Sequence, residues 1–332
     1  MTQPRLAVLA IGNAIVDVIS DASEEFLEEQ SLDKGSMRLI DEAEAERLYD
    51  LMGAGREVSG GSAGNTAAGI AALGVKTGFI GQVADDQLGA IYKHDIEAAG
   101  VEFLVPPSAD TEAATARCLI LVTPDAQRTM NTFLGAAQEL PAAAIADDII
   151  ADAGILYLEG YLWDPEAPRM AMEKAIDVAR GAGRKVAFTL SDTFCIDRHR
   201  DDFIRLIDEG RIDILFANEA EAKALAGKGD LDEAVEWIAP KVPLLVVTRS
   251  EKGAIAVEDG HRARVGAQPI KALVDTTGAG DLFAAGFLAG MAQERDLEEC
   301  LKMGAIAAAE VIQHYGARPE EDLRALVARK LA

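Results

Sequence analysis

The sequence predicts an α/β protein: a three-layer sandwich with a mostly parallel central sheet and a small β layer over one end. From Ala137 onward, short apolar runs alternate with helical patterns, the rhythm of βαβ units. Ahead of that rhythm lie extra strand-like pieces at about Ile15–Ile19, Ser36–Ile40 and Leu104–Phe133. They suit a separate layer over the C-terminal edge of the sheet, where ligands of such sheets bind. Two glycine clusters, Ser59–Asn65 and Asp275–Asp281, each open an apolar helical pattern. We expect one domain over residues 1–332, with lid segments at about 14–50 and 103–135.

Leu6–Ile11 is a continuous apolar run stopped by Gly12-Asn13 and reads as a strand. Ala63–Leu73 reads as a helix, Thr77–Val83 as a strand, and Asp86–Ala99 as a helix closed by Gly100. Cys118–Val122 and Thr129–Phe133 read as strands near the turn signal Pro124-Asp125. Strand Ile155–Leu158, helix Ala167–Arg180, strand Val186–Leu190 and helix Asp197–Ile207 follow. Next come strand Ile212–Phe216, helix Glu219–Ala226 and strand Leu244–Thr248, with short strands near Ala254–Val257 and Arg262–Val265. Asp281–Ala292, Leu297–Gln313 and Pro319–Lys330 make the last third helical. The acidic cluster Asp21–Glu29 reads as a solvated helix face.

The formal charge is −24, from 32 basic and 56 acidic residues. That argues against a nucleic acid or an anionic membrane as the main partner. An anionic ligand would then need local positive groups, helix N-termini or Mg²⁺. The three cysteines are widely spaced and the four histidines form no zinc pattern, so reduced thiols in a cytoplasmic protein are expected. No window reaches the length and apolarity of a membrane span.

Asp275-Thr-Thr-Gly-Ala-Gly-Asp281 places glycines where a helix begins. Free N–H groups and the positive end of the helix dipole make that an anion hole. Asp281 adds a carboxylate to the same spot, and an acid beside an anion hole suits phosphoryl transfer to a hydroxyl. The stretch also reads as a plain glycine turn with an acidic first-turn residue. It is not a Walker A loop, because no Gly-Lys-Ser/Thr follows. Gly61 and Asn65 in the other glycine cluster suit a polyol, since Asn both donates and accepts. Close helix packing is the alternative. Asp17 lies in an apolar run after Gly12-Asn13, where a carboxylate needs a partner. Two adjacent ribose hydroxyls would serve, unless the residue faces outward. Asn218 and Glu221 open a helix after a strand and fit either phosphate and Mg²⁺ waters or an ordinary cap. Thr248, Arg249 and Gly253 at another strand end fit a nucleotide or a plain turn.

In this order the motifs resemble the PfkB (ribokinase-like) family of sugar and nucleoside kinases, from about Leu6 to Pro319. Gly60-Gly-Ser-Ala-Gly-Asn65-Thr-Ala67 with Gly74 is similar to the family's N-terminal signature. Asp275–Gly286 is similar to the C-terminal one, and Asn218-x-x-Glu221 to its Mg²⁺-associated motif. Ala84 stands where the family usually has glycine. The resemblance implies Asp281 as the base and Gly278, Ala279 and Gly280 as the anion hole. It implies Asn218 and Glu221 around Mg²⁺ and phosphate, with Thr248, Arg249 and Gly253 at ATP. Asp17, Gly61 and Asn65, after Asn13, would grip the sugar. A monovalent cation, potassium, would sit by Asp275 and Thr277. Gly12-Asn13-x-x-x-Asp17, Lys34–Asp41 and Arg128–Ala137 are more similar to adenosine-kinase-like members than to ribokinases or fructokinases. Met37, Leu39 and Phe133 would then offer a purine an apolar slot. The expected substrate is a purine ribonucleoside, with a free sugar as the alternative. A nucleotide-binding regulator on the same fold would lack the base or the anion hole. The chain would be a monomer or a homodimer.

Overall fold

The computed structural model describes residues 4–125 and 127–332; Met1 to Gln3 and Ala126, which fall inside the expected domain, lie outside the described residues. The strands are β1 (Leu6–Ile11), β2 (Ile15–Asp21), β3 (Met37–Leu39), β4 (Arg56–Gly60), β5 (Thr77–Ile80), β6 (Glu102–Phe103) and β7 (Ala116–Val122). They continue as β8 (Arg128–Phe133), β9 (Ala153–Glu159), β10 (Lys185–Thr189), β11 (Ile214–Asn218), β12 (Leu244–Thr248), β13 (Ala254–Glu258) and β14 (His261–Val265). The helices are α1 (Glu24–Glu29), α2 (Glu42–Leu51), α3 (Ser62–Ala72), α4 (Gln87–Ala98), α5 (Asp147–Ala151) and α6 (Glu166–Gly181). After them come α7 (Thr193–Asp208), α8 (Glu219–Ala226), α9 (Leu231–Ile238), α10 (Ala279–Ala292), α11 (Leu297–Val311) and α12 (Leu323–Leu331).

A nine-stranded sheet runs β14-β13-β12-β11-β10-β9-β1-β5-β6. Neighbours from β6 to β12 are parallel, and β13 and β14 close it as an antiparallel hairpin. Its central strands are apolar on both faces, so each face buries a helical layer. Helices α3, α10 and α11 cover one face, packing on Tyr157 and Phe216. Helices α6 to α9 cover the other, where Trp163, Phe188 and Phe203 meet edge to face. This is the sandwich expected from the alternation of apolar runs.

The chain leaves β1 toward β5 on one side and reaches β9 on the other. The strand order therefore reverses between β1 and β9, and a crevice opens at their C-terminal ends. A second sheet of five strands, β3-β8-β7-β2-β4, stands over that crevice. Its two faces are set by register. Asp17 pairs with Cys118, Cys118 with Thr132, and Met130 with Met37. These residues share the face toward the crevice. Leu119 and Leu121 point the other way, to a core that includes Leu27 of α1 and Leu48 of α2. The sequence patterns did not mark α2, β4 or α9. Strand β4, Arg56-Glu-Val-Ser-Gly60, lacks apolar alternation because only its Ser59 and Gly60 are buried. No helix among the described residues is long and apolar enough to cross a membrane.

Candidate active site

Helix α10 starts at Gly278, whose φ of 76° is left-handed. A Cβ there would lie 2.5 Å from the Cβ of Ala317, so both conformation and contact require glycine. Ala279 N–H turns back to Thr276 O at 3.2 Å, and Leu282 N–H reaches Gly278 O at 2.8 Å. Among the described residues, the intervening N–H groups of Gly280 and Asp281 donate to no backbone carbonyl outside the helix, as expected of a first turn. Such a turn, here called the cradle, has the donors to hold an anion. Space around Gly280 is open.

Asp281 sits in this turn. Its Oδ1 accepts from Ser62 Oγ at 2.6 Å and its Oδ2 from Asn65 Nδ2 at 3.0 Å. Burial raises its pKa, and those two donors with Arg318 oppose the rise. Both donors come from the first turn of α3. That turn is anchored by Glu159 at the end of β9, which is fully buried. Glu159 Oε2 accepts from Ala63 N–H at 2.7 Å; Oε1 accepts from Asn13 N–H at 2.7 Å and Asn13 Nδ2 at 2.8 Å. Burial still pushes its pKa up to about 7. The reversal between β1 and β9 is thus tied shut beneath the site.

Asp17 faces Asp281 across a cavity of about 440 Å³, lined also by Gly61, Ser62 and Asn65. Desolvation raises Asp17 to about 7, against the pull of Arg318 and Arg128. Its carboxylate accepts no hydrogen bond among the described residues. Ile15, Cys118, Ile120 and Met130 of the small sheet form an apolar roof. Asn218 and Glu221 border the same cavity as a capping box: Asn218 N–H donates to Glu221 Oε2 at 2.9 Å and Glu221 N–H to Asn218 Oδ1 at 2.9 Å. Burial lifts Glu221 to about 7.

A second cavity of about 410 Å³ lies between Gly253, Gln268, Ile270, Leu273, Ala308 and Ile312. The two cavities share Thr248, Thr276, Ala279, Gly280 and Phe283. The cradle is therefore the seam between them.

Residues 31–323 match the family described as pfkB family carbohydrate kinase. The chain belongs to this family. It is a phosphotransferase with an alcohol group as acceptor. The structure of adenosine kinase from Sinorhizobium meliloti is 48% identical, with 100% of each chain covered and a TM-score of 0.90. A structure from Rhizobium etli CFN 42, described as a "probable sugar kinase protein", is 47% identical over 98% of this chain and 99% of that one, with a TM-score of 0.91. Cytidine kinase from Thermococcus kodakarensis is 30% identical over 275 residues, 79% of this chain and 91% of its own.

Of the residues singled out in the sequence, this pfkB kinase brings Asp17, Gly61, Asn65, Asn218, Glu221, Thr277, Gly278, Ala279, Gly280 and Asp281 to one cavity. Thr248 borders both cavities and Gly253 the second. Others lie elsewhere. Asn13 is spent on Glu159 and lines neither cavity. Arg249 turns to Glu219, 3.8 Å away. Phe133 pairs with Arg117 on the opposite face of the small sheet, because it is one residue out of phase with Thr132. Met37 and Leu39 share the roof's face but stand at its outer edge, 52% and 64% exposed. Asp275 is buried in an ion pair with Arg128 at 2.7 Å.

Sequence reasoning missed Ser62, Glu159, Arg128 and Arg318. Glu159 left a trace, an acid closing the apolar strand Ile155–Leu158. Arg128 and Arg318 left none as site residues, since an arginine in a polar stretch is ordinarily solvated.

Proposed function

We propose that this chain transfers the γ-phosphoryl group of Mg·ATP to the 5′-type primary hydroxyl of a ribonucleoside, most favourably a purine nucleoside. One observation carries the reading: two cavities meet at the cradle of Gly278–Gly280, and Asp281 lies on one side only. The apolar second cavity would take the adenine of ATP, with Thr248 and Gly253 at its edge. The first would take the acceptor. Asp281 removes the proton from the acceptor hydroxyl as its oxygen bonds to the γ-phosphorus. The bond to the leaving ADP oxygen breaks, and the cradle holds the charge spread over the transferring group.

Asp17 would accept from the ribose 2′- and 3′-hydroxyls, with Gly61 allowing close approach and Asn65 beside them. Beyond this grip, Ile15, Ile120 and Met130 offer apolar surface that a base could cover and a free sugar could not. Similarity to the adenosine kinase of Sinorhizobium meliloti supports the same choice. Similarity to the Rhizobium etli structure favours the second reading, a free sugar acceptor.

No cluster of three acidic, histidine or cysteine side chains suited to a metal occurs among the described residues. Mg²⁺, which neutralises phosphate charge, would be held by phosphates and water, with Glu221 and Asn218 bonded to that water. Potassium does not fit Asp275 as it stands. Its Oδ1 accepts from Thr277 N–H at 3.0 Å and Thr277 Oγ1 at 2.8 Å, and its Oδ2 from Gly316 N–H at 3.0 Å and Arg128. That fills the lone pairs of a carboxylate. We propose the small sheet as the lid over the acceptor.

Steady-state kinetics with adenosine, guanosine, inosine, cytidine, ribose and fructose test the reading. Adenosine or another purine nucleoside should give the highest kcat/KM. A sugar at the top of the series overturns the nucleoside reading, and absence of ADP release with every acceptor overturns the kinase step.

A further inference from the structure

Arg318 follows α11 in a segment outside every motif of the sequence. Gly316 N–H ties that segment to Asp275, and Glu310 accepts from Glu320 and Glu321 N–H, each at 2.9 Å. Between these two anchors Arg318 reaches back across the fold to the junction of β4 and α3. Its Nη2 donates to Ser59 O and Ser59 Oγ, and its Nη1 to Gly64 O at 3.2 Å and Asn65 Oδ1 at 3.0 Å. Ser59 Oγ in turn donates to Asp95 Oδ2 at 2.6 Å.

We infer that Arg318 is a positioning residue for phosphoryl transfer, locking the Asn65 amide in the one orientation that keeps Asp281 a base. The reasoning is one of donor count. A guanidinium has donors only, so the amide atom facing it must be oxygen. The amide NH₂ is thereby turned to Asp281, and a donor there favours the carboxylate over the acid. Without Arg318 the amide can turn over. Its oxygen would then face Asp281, and that contact favours the protonated acid, which cannot accept the hydroxyl proton. The positive charge of Arg318, which favours the ionised form of both Asp17 and Asp281, acts in the same direction. Asp17, Asp275, Glu159, Asp95, Arg128, Tyr92, Tyr157 and Tyr161 also face this region, and none of them is altered by a substitution at Arg318 alone.

The inference rests on Asp281 as the base, so the test reads Asp281 both with and without turnover. In protein labelled with carbon-13 at aspartate carboxyls, D281N assigns the Asp281 signal. R318Q should raise its titration midpoint by about one pH unit or more, the scale of one lost charge-assisted contact. With adenosine and Mg·ATP, the acid limb of kcat should move up by the same amount, while KM for ATP stays unchanged. R318Q and N65A should be non-additive in kcat, because both act through one amide. R318K keeps the charge and a donor group and should recover part of the loss; it also replaces R318Q if that variant fails to fold. An unmoved Asp281 midpoint in both variants, or additive effects with N65A, overturns the inference. A moved midpoint with no turnover of adenosine, guanosine, inosine or cytidine by the wild type would instead overturn the nucleoside reading alone.

Discussion

On the floor of the cavity that holds Asp281, this carboxylate accepts from two donors, Asn65 is held at both ends and Glu159 accepts three hydrogen bonds. On the roof, among the described residues, Asp17 accepts none and Arg128 leaves Nε and Nη2 buried without a partner, and Met37 and Leu39 are exposed. The floor belongs to the helices and strand ends of the large sheet, whose core fixes them before any ligand arrives. The roof belongs to a small sheet that has covered only its outer face. A buried polar group without a partner costs roughly 1–3 kcal/mol. The carboxylates of the floor are therefore paired before any ligand arrives, although Arg318 Nε also lacks a partner among the described residues, whereas the Asp17 carboxylate of the roof is left for what binds. Catalytic rate should depend on the floor and choice of acceptor on the roof.

D281N breaks the floor most directly. The amide keeps the shape and loses the base, and kcat should fall by about 10²–10⁴-fold with KM little changed. Burial disfavours the Asp281 carboxylate in the folded state, so the melting temperature at pH 7 should not drop. A variant keeping more than about a third of wild-type kcat would reduce Asp281 to a helix-start acid.

The same turn separates two reasons for glycine. G278A forces a left-handed alanine against Ala317 and should lower the melting temperature. G280A meets nothing in the protein and should leave melting unchanged or raised, yet its methyl group enters the cradle and should cut kcat. Equal melting temperatures for the two variants would contradict this division.

For the roof, the proposed ribose grip predicts that 2′-deoxyadenosine loses one hydrogen bond to Asp17. A charge-assisted bond contributes ~1.5–3 kcal/mol, so kcat/KM should fall roughly 10–150-fold. An unchanged kcat/KM would remove Asp17 from ribose recognition.

Asp17 also reports on the roof without substrate. Its ordinary value of 3.8 becomes about 7 in the fold. The folded state thus holds an extra proton between those values, and that stabilisation is lost as pH rises from about 4 to about 7. D17N lacks the ionisation, so its melting temperature should gain on the wild type between pH 5 and pH 8. A constant difference across that range would mean that Asp17 is solvated. The smallest effect is expected from exchanging potassium for sodium at equal ionic strength. With Asp275 saturated by Arg128, Thr277 and Gly316, rates should match, and strong activation by potassium would mean that Arg128 leaves Asp275 during turnover.

Residues close in sequence to a helix start were legible. Gly278, Ala279, Gly280 and Asp281 lie in one turn, and Gly61 and Asn65 in another, so local spacing alone placed them in correct relation. Phe133 was not legible, because a strand alternates its faces and one residue of register decides which side it joins. Arg249 and Asn13 sat beside the right strand ends, but their partners, Glu219 and Glu159, are set by packing.

By itself, the sequence determined the sandwich of helices on a mostly parallel sheet, the cradle with its acid, and the kinase chemistry these imply. Periodicity and helix-start chemistry are local properties, written within a few residues of each other. Tertiary structure alone decided that Glu159 ties β1 to β9, that Arg128 fills Asp275, and that Arg318 turns Asn65 toward Asp281. Each joins segments more than 140 residues apart. An ordinary acid or arginine carries no mark of a partner that only the folded chain brings within reach.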